Sequence, residues 1–555
     1  MHPIAVTIVR LLLWVFNLAT LTLLTVVTYR ICFHPLARIP GPRLAAVSNV
    51  WQARYVRDGR IRQLALTLHK KYGPVVRVGP EEVWVCDGVQ GVRQIYGAVN
   101  GWEKSDFYYA TALNKPTSWS WDWRSFRLKL QWPDTLDLLS EFDTKRYRGQ
   151  RRLIGPTYSA TNLRKFEPAV ESVVRRAVEE LKKVGDREVD LKQWMHILAV
   201  ECLGEVVLSW SPGYIKARSD GGTSGQSYMG WNRKSVFGLF PTVTAVGFWL
   251  KGASRLWADL WGVTFTTPKG FKPFFTPVYQ KSSKRITTAL KAPLEPVKTK
   301  AKGKAKAKVV APPREDLLAD LIDLHLSRPD EFTENYLRRM AVTNFGAGHE
   351  TLCSTLTSVI AHIASHPEAH RRVCSEARGE ASASADTTMP DTAEKLNYTK
   401  AAIKEAQRLW PVIGMSLARR VPAAGTGEVI AGRHIPPGTT VGCNPVALHR
   451  DETIFGSNAD EYRPERWLPS DVDGGEERVR TMERFNLIYG GGSRTCPGKY
   501  LAEMIVLKVA AGLFREFDAE ITVMPKDDEM PCYFMAMMSG VTVRFRYKGT
   551  EISNL

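Results

Sequence analysis

The residue best placed to do chemistry is a lone cysteine at the end of a glycine-rich run. Cys496 closes the stretch Tyr489-Gly490-Gly491-Gly492-Ser493-Arg494-Thr495, and Pro497-Gly498 lead on into an apolar segment, Lys499 to Phe517, that reads as a helix. Successive glycines let the backbone take conformations closed to other residues and approach a flat ligand closely. Gly498 leaves the first helical turn clear behind the sulfur. A thiol at a helix N-terminus feels the macrodipole and the unpaired N–H groups, and both favour its anion. Arg494 adds a cation within reach of a carboxylate-bearing cofactor. One thiolate without a second cysteine or histidine nearby makes a poor zinc site. It suits haem iron, where it pushes electron density onto the metal and favours O–O cleavage. The alternative is a buried structural cysteine beside a glycine loop.

A second candidate centre is Phe345-Gly346-Ala347-Gly348-His349-Glu350-Thr351, inside the longest helical pattern, Thr333 to Ser365. A mid-helix glycine costs about 1 kcal/mol relative to alanine. Two of them need a reason, either a groove against a flat cofactor or a packing notch. Glu350 and Thr351 place an acid and a hydroxyl side by side. Glu405 and Arg408 stand at i, i+3 on one helical face, a pair worth little when exposed. Tyr147 and Arg151 stand at i, i+4, in a basic segment that would ordinarily be a solvated face.

Taken together these motifs resemble those of the cytochrome P450 family. Gly at −6 and −4, Arg at −2 and Gly at +2 about Cys496 resemble its haem-binding loop, with Tyr489 where the family usually has Phe. Ala347-Gly348-His349-Glu350-Thr351 is similar to its oxygen-activating helix. Glu405, Arg408 and Arg466, the last within Tyr462-Arg463-Pro464-Glu465-Arg466-Trp467, resemble its buried Glu-Arg-Arg cluster, which would hold the cysteine loop. Tyr147 stands where the family has Trp or His, four residues before Arg151.

The resemblance implies a mainly α haem-thiolate fold with a minor β region, preceded by one transmembrane helix. It makes Cys496 the iron ligand and assigns Arg494, Arg419, Arg151 and Tyr147 to the haem propionates, with Gly490, Gly492, Gly498 and Tyr489 shaping the cradle. Thr351 and Glu350 become the catalytic pair that delivers protons to oxygen. O2 is the implied co-substrate and a lipophilic small molecule of secondary metabolism the implied substrate. NADPH enters through a separate cytochrome P450 reductase, with cytochrome b5 as a second candidate donor and Arg152, Lys499 and Lys508 as candidate docking cations. An oxygen-independent haem-thiolate isomerase or dehydratase and a non-catalytic haem sensor are the rival readings.

The rest of the chain must position these groups. It has 555 residues, a formal charge of +19 and eight cysteines, at 32, 86, 202, 353, 374, 443, 496 and 532. With no close pairs, the cysteines read as reduced thiols rather than a disulfide framework. No internal repeat is present. Residues Leu11 to Tyr29 form an uncharged apolar run, long enough at roughly 28 Å to cross a hydrocarbon core. Arg30, His34, Arg38 and Arg43 follow it, against His2 and Arg10 before it, which puts the body on the cytosolic side, at the endoplasmic reticulum. A cleaved signal peptide is the alternative. The organisation expected is an anchor over 1–30, a proline-rich hinge over 31–45 and a catalytic domain over 46–555.

Within that domain, Tyr72 to Cys86 reads as a hairpin and Gly432 to Gly442 as strand, turn, strand. Trp102 to Trp132 is aromatic without clear periodicity and reads as a long covering loop, which the resemblance implies would roof the substrate pocket, or as ordinary core aromatics. Phe237 to Phe275 mixes aromatics with lysines, as a membrane-interface segment or an internal helical hairpin would. Residues Lys281 to Lys308 hold ten Lys and Arg against one Glu, and the stretch 281–314 reads as a basic, disordered insert. It has no aromatic residue to stack a base, so nucleic acid is not expected as a partner.

Overall fold

The computed structural model describes residues 3–88, 90–97, 101–123, 127–263, 275–291, 315–382, 395–469 and 475–548. The long central helix forms over Glu334–Ser365, and Thr333 caps it by accepting the Tyr336 N–H at 3.3 Å. It packs along Leu191–Leu208, a helix whose side chains are buried almost all round, as expected of an element enclosed on every face. The helix that follows the cysteine loop, Lys499–Glu516, lies against both the central helix and Glu167–Val184. These four helices supply a large share of the main apolar core.

The sheets are small. Val75–Arg77 and Glu82–Val85 pair antiparallel, as the sequence suggests, and Glu82–Val85 continues in parallel onto Thr440–Cys443, which pairs in turn with Arg419–Arg420. Arg433–Ile435 pairs instead with Glu428–Ile430. The turn at Pro436-Pro437-Gly438 therefore joins strands of different sheets and is not the tip of a hairpin.

Two other expectations need correction. Residues Trp102 to Trp132 are not one loop: they hold a 3₁₀ turn over Asp106–Thr111 and an antiparallel pair, Ser118–Asp122 with Arg127–Gln131. The basic run begins in a helix, Phe275–Lys291. Its turns are held by packing, since Val278 and Ile286 are buried and Arg285 bonds Asp316 at 2.6 Å. The rest of the run, 292–314, lies outside the described residues. Phe237 to Phe275 contributes the helices Pro241–Gly247 and Lys251–Trp261, with 264–274 outside the described residues.

At the amino end, the helix Pro3–Thr28 continues as a wider π-helical turn over Tyr29–Phe33, and its apolar side chains are exposed along its length. It is the one helix among the described residues long and apolar enough to cross a membrane. The body grips the hinge just beyond it. Arg77 donates to the Arg30 and Pro80 carbonyls at 2.8 Å each, and its own N–H bonds the Pro40 carbonyl.

Candidate functional site

The cysteine loop is closed by its own backbone. The Cys496 N–H bonds the Tyr489 carbonyl at 2.8 Å, and Gly490 and Gly492 turn the chain with φ of +77° and +61°. Those angles favour glycine. At Gly492 a side chain is excluded for a second reason, because a Cβ would meet the Tyr96 carbonyl. The loop glycines thus serve backbone packing against the helix Gly91–Tyr96, not only close approach to a ligand. At Gly498 a Cβ would meet little besides the Cys496 sulfur, at 3.9 Å.

Cys496 has exposed surface, yet it is enclosed deeply enough that burial pushes its thiol pKa up, with the Gly498 N–H and Arg151 pulling the other way. Open surface inside an enclosing shell marks a group that lines an internal cleft. The direction of the shift is opposite to the sequence expectation. The helix starts at Lys499 with Gly498 as its cap, so the sulfur lies outside the first turn, where the dipole falls off. A cation, rather than the helix, is what would make this thiol a thiolate.

Around the loop lies a cluster of buried and half-buried cations. Arg494 donates one N–H to the Glu141 carbonyl at 2.9 Å and stacks over the Tyr147 ring, 4.2 Å from its centroid. Its Nη2 is buried with no acceptor among the described residues. Burial lowers its pKa to about 10, and Arg419 adds to the effect. Arg419 is itself buried, donates to the Ala418 carbonyl at 3.0 Å and lies beside the Tyr96 ring. Lys104 completes the group, with its ammonium on the Leu138 and Leu139 carbonyls. Burial and then the two arginines hold its pKa well below the ordinary lysine value. The Glu141 carboxylate is engaged by Arg146 at 2.6 Å. Two buried cations and the half-buried Arg494 therefore share mainly carbonyl partners, an arrangement that asks for an anion.

Tyr147 sits on the helix Thr144–Ile154, capped by Asp143, and is buried, so its ring is a platform for Arg494. Arg151, one turn on, is partly exposed and close enough to Cys496 to act on it. The Tyr489 hydroxyl is buried beside Gln407 without a well-formed hydrogen bond. On the central helix, Gly346 and Ala347 expose surface in the middle of the protein. Gly348 is a packing notch: a Cβ there would meet the Leu203 side chain at 2.9 Å. The Thr351 hydroxyl donates back to the Ala347 carbonyl at 2.7 Å. Glu350 is buried and accepts the indole N–H of Trp231 from the helix Thr223–Gly238. The acid and the hydroxyl are adjacent in sequence but engaged with different partners.

The Glu-Arg-Arg cluster forms in full. Glu405 takes Arg408 Nη2 at 2.8 Å and Arg466 Nε at 2.7 Å, and the Trp467 indole and Arg463 N–H complete its shell. His449 ties this cluster to the cysteine loop. Its Nδ1 faces the Arg408 carbonyl at 3.1 Å and its Nε2 accepts the Leu487 N–H at 2.9 Å.

A match to the family model described as Cytochrome P450 spans residues 39–542. The chain belongs to the cytochrome P450 family. It is 54% identical to Cytochrome P450 monooxygenase sdnT of Sordaria araneosa, covering 98% of this chain and 97% of that one. It is 28% identical to Cytochrome P450 monooxygenase gsfF of Penicillium aethiopicum, covering 93% and 94%, and 27% identical to Pisatin demethylase of Fusarium vanettenii, covering 89% and 87%. The chain is accordingly a P450 monooxygenase, and the family implies a haem with a thiolate ligand. The open-surfaced cysteine and the unpartnered guanidinium nitrogen fit a flat ligand bearing carboxylates.

Sequence reasoning missed Lys104, Tyr96 and the Trp231–Glu350 bond. Each depends on a contact between remote segments, and spacing carries no sign of it. One docking cation is also ruled out: Lys508 is buried and held by Glu167 and Glu171 at 2.8 and 2.7 Å.

Proposed function

We propose that the protein is a membrane-anchored haem-thiolate monooxygenase of fungal secondary metabolism. It inserts one oxygen atom into a lipophilic small molecule using electrons from an NADPH–cytochrome P450 reductase, with cytochrome b5 as an auxiliary donor. The observation that carries this reading is Arg494, two residues before Cys496, whose guanidinium Nη2 is buried with no acceptor among the described residues. A haem propionate supplies that acceptor. In this reading Cys496 ligates the iron, while Arg494, Arg419, Arg151 and the Tyr147 hydroxyl hold the propionates. Gly490, Gly492, Gly498 and Tyr489 fix the loop that presents the sulfur. When bound, the haem supplies the activation of O2. Thr351 holds a proton at the oxygen face of the central helix, and Glu350, steadied by Trp231, feeds it.

The relatives are fungal, and one bears the name of a small molecule it demethylates. The helix Pro3–Thr28 anchors the protein in the endoplasmic reticulum. Arg30, Arg38 and Arg43 beyond it, against Arg10 before it, favour a cytosolic body. Arg152 is exposed and Lys499 half-exposed, so these two remain as docking cations for an acidic reductase surface. Residues 1–30 and 31–45 serve as anchor and hinge to a catalytic domain over 46–555.

Cys496→Ala should abolish the red-shifted Soret band of the reduced carbon monoxide complex, and an unchanged band would remove Cys496 as ligand. Thr351→Ala should keep that band, because alanine costs the helix nothing. Its product per NADPH should fall by about 10²-fold or more, the lower end of what a positioned proton donor contributes, with hydrogen peroxide appearing instead. Equal coupling in both proteins would favour an oxygen-independent rearrangement.

A further inference from the structure

The helix Thr223–Gly238 roofs the site, and one of its inward residues is a cation. Positions 231, 234, 235 and 238 share a face at helical spacing. That face points inward. Trp231 donates to Glu350 and stacks on Phe534, with centroids 4.8 Å apart. Ser235 is fully buried, and a Cβ on Gly238 would strike the Phe107 ring. Phe534 stacks in turn on Phe107, at 5.9 Å. Lys234 lies on this face with its ammonium 4.7 Å from the centroid of the Trp231 ring.

Lys234 is half-buried and its ammonium is not saturated. Among the described residues, none forms an ion pair with it and none is seen to accept its protons. The carboxylates that attract it through space, Glu350 and Asp137, are engaged elsewhere. Glu350 takes the Trp231 indole, and Asp137 takes the Leu113 N–H at 3.1 Å and the Ser140 hydroxyl. The neighbouring Arg233 opposes the Lys234 charge, and burial lowers the pKa of Lys234. An ammonium has three donors and no acceptor, and leaving it desolvated without an anion is costly.

We propose that Lys234 is the recognition residue for a carboxylate on the substrate, so that the enzyme acts on a lipophilic acid. This rests on the monooxygenase reading of the same cavity. The acid group sits beneath the roof helix against Lys234, and the apolar body lies along the Phe107–Phe534–Trp231 stack. Oxidation then falls on a carbon remote from the carboxylate, because the acid end is held at the roof. The ion pair formed is charge-assisted, and its strength sets the discrimination between acid and ester.

The test uses full-length holoprotein and two matched sets of probes: dodecanoic acid, methyl dodecanoate and dodecan-1-ol, and abietic acid with its methyl ester. Binding is read by the optical low-spin to high-spin shift and by calorimetry. At least one acid should bind wild-type protein about 10- to 100-fold more tightly than its ester, the range for a hydrogen bond to a charged group. Lys234→Met should bring that ratio to about one, while Lys234→Arg keeps most of it. No acid preference in wild type, no acid binding at all, or a preference that survives in Lys234→Met overturns the assignment. The reduced carbon monoxide band is recorded on every protein. Its absence would count against the haem-thiolate reading, and its presence with an unchanged ratio would sink the acid site alone.

Discussion

Arg408, Arg466 and Arg419 are buried and Arg494 is half-buried beside Arg419, yet the two pairs use their donors differently. Arg408 places its donors on Glu405 and on the carbonyls of His449, Ala459 and Glu461. Arg466 is shared among Glu405, Phe455, Asn458 and Glu461. Arg494 and Arg419 have carbonyl oxygens, aromatic rings and each other, and Arg494 keeps a nitrogen with nothing. A matched buried charge is a structural tie. An unmatched one stores affinity for whatever anion arrives, because the desolvation is already complete before binding. The same residue type is therefore fully matched in one cluster and left with an open donor in the other.

That contrast predicts opposite responses to mutation. Glu405→Gln removes the anion from the matched cluster and strands two guanidinium groups. It should destabilise the apoprotein by about 3–5 kcal/mol, the cost of breaking a buried pair, and haem should be lost as a consequence of unfolding. Urea unfolding followed by circular dichroism checks it, and a shift under about 1 kcal/mol would show that the cluster is less constrained than its geometry. Arg494→Leu should do the reverse. Apoprotein stability should change by about 1 kcal/mol or less, the scale of one lost carbonyl hydrogen bond, while haem transfer to apomyoglobin accelerates by about tenfold or more, the loss of a charged hydrogen bond. If Arg494→Leu instead unfolded the apoprotein, the distinction between the clusters would collapse.

The smallest effect is one of pH. Burial first, and Arg408 second, push the His449 pKa down to about 3, against about 6.5 in an unfolded chain. Between those values the unfolded state binds a proton that the fold refuses. The stability His449 contributes is thus fully present above about pH 6.5 and is lost as pH falls toward 3, by about 1.4 kcal/mol per pH unit within the window. His349 and His362, pushed to about 3 and about 4 by burial, act with the same sign. The stability gap between wild type and His449→Gln should narrow as pH drops from 7.5 to 5.5. A constant gap would mean that His449 titrates alike in the folded and the unfolded chain.

Much of the site was readable in one dimension, for a physical reason. Metal-ligand loops and helix notches are local, so Tyr489 to Gly498 and Ala347 to Thr351 carry their constraints in consecutive residues. The Glu405, Arg408 and Arg466 cluster was legible because two of its members share a helical face. Short-range spacing failed where partners come from afar. Lys508 reads as one more surface lysine until Glu167 and Glu171 close on it. The aromatic run after Trp102 reads as a loop until Ser118–Asp122 finds Arg127–Gln131.

By itself the sequence determined the helical class, the apolar helix at the amino end, the cysteine loop and the order of its motifs, because each is set by neighbours along the chain. Only the tertiary structure decided which buried charges are matched. It placed Arg494 on the Tyr147 ring with no free carboxylate beside it among the described residues, gave Glu350 to Trp231, and set Lys234 on the same helical face as Trp231. Those outcomes depend on which remote groups share a low-dielectric interior, where one absent partner leaves a buried donor open.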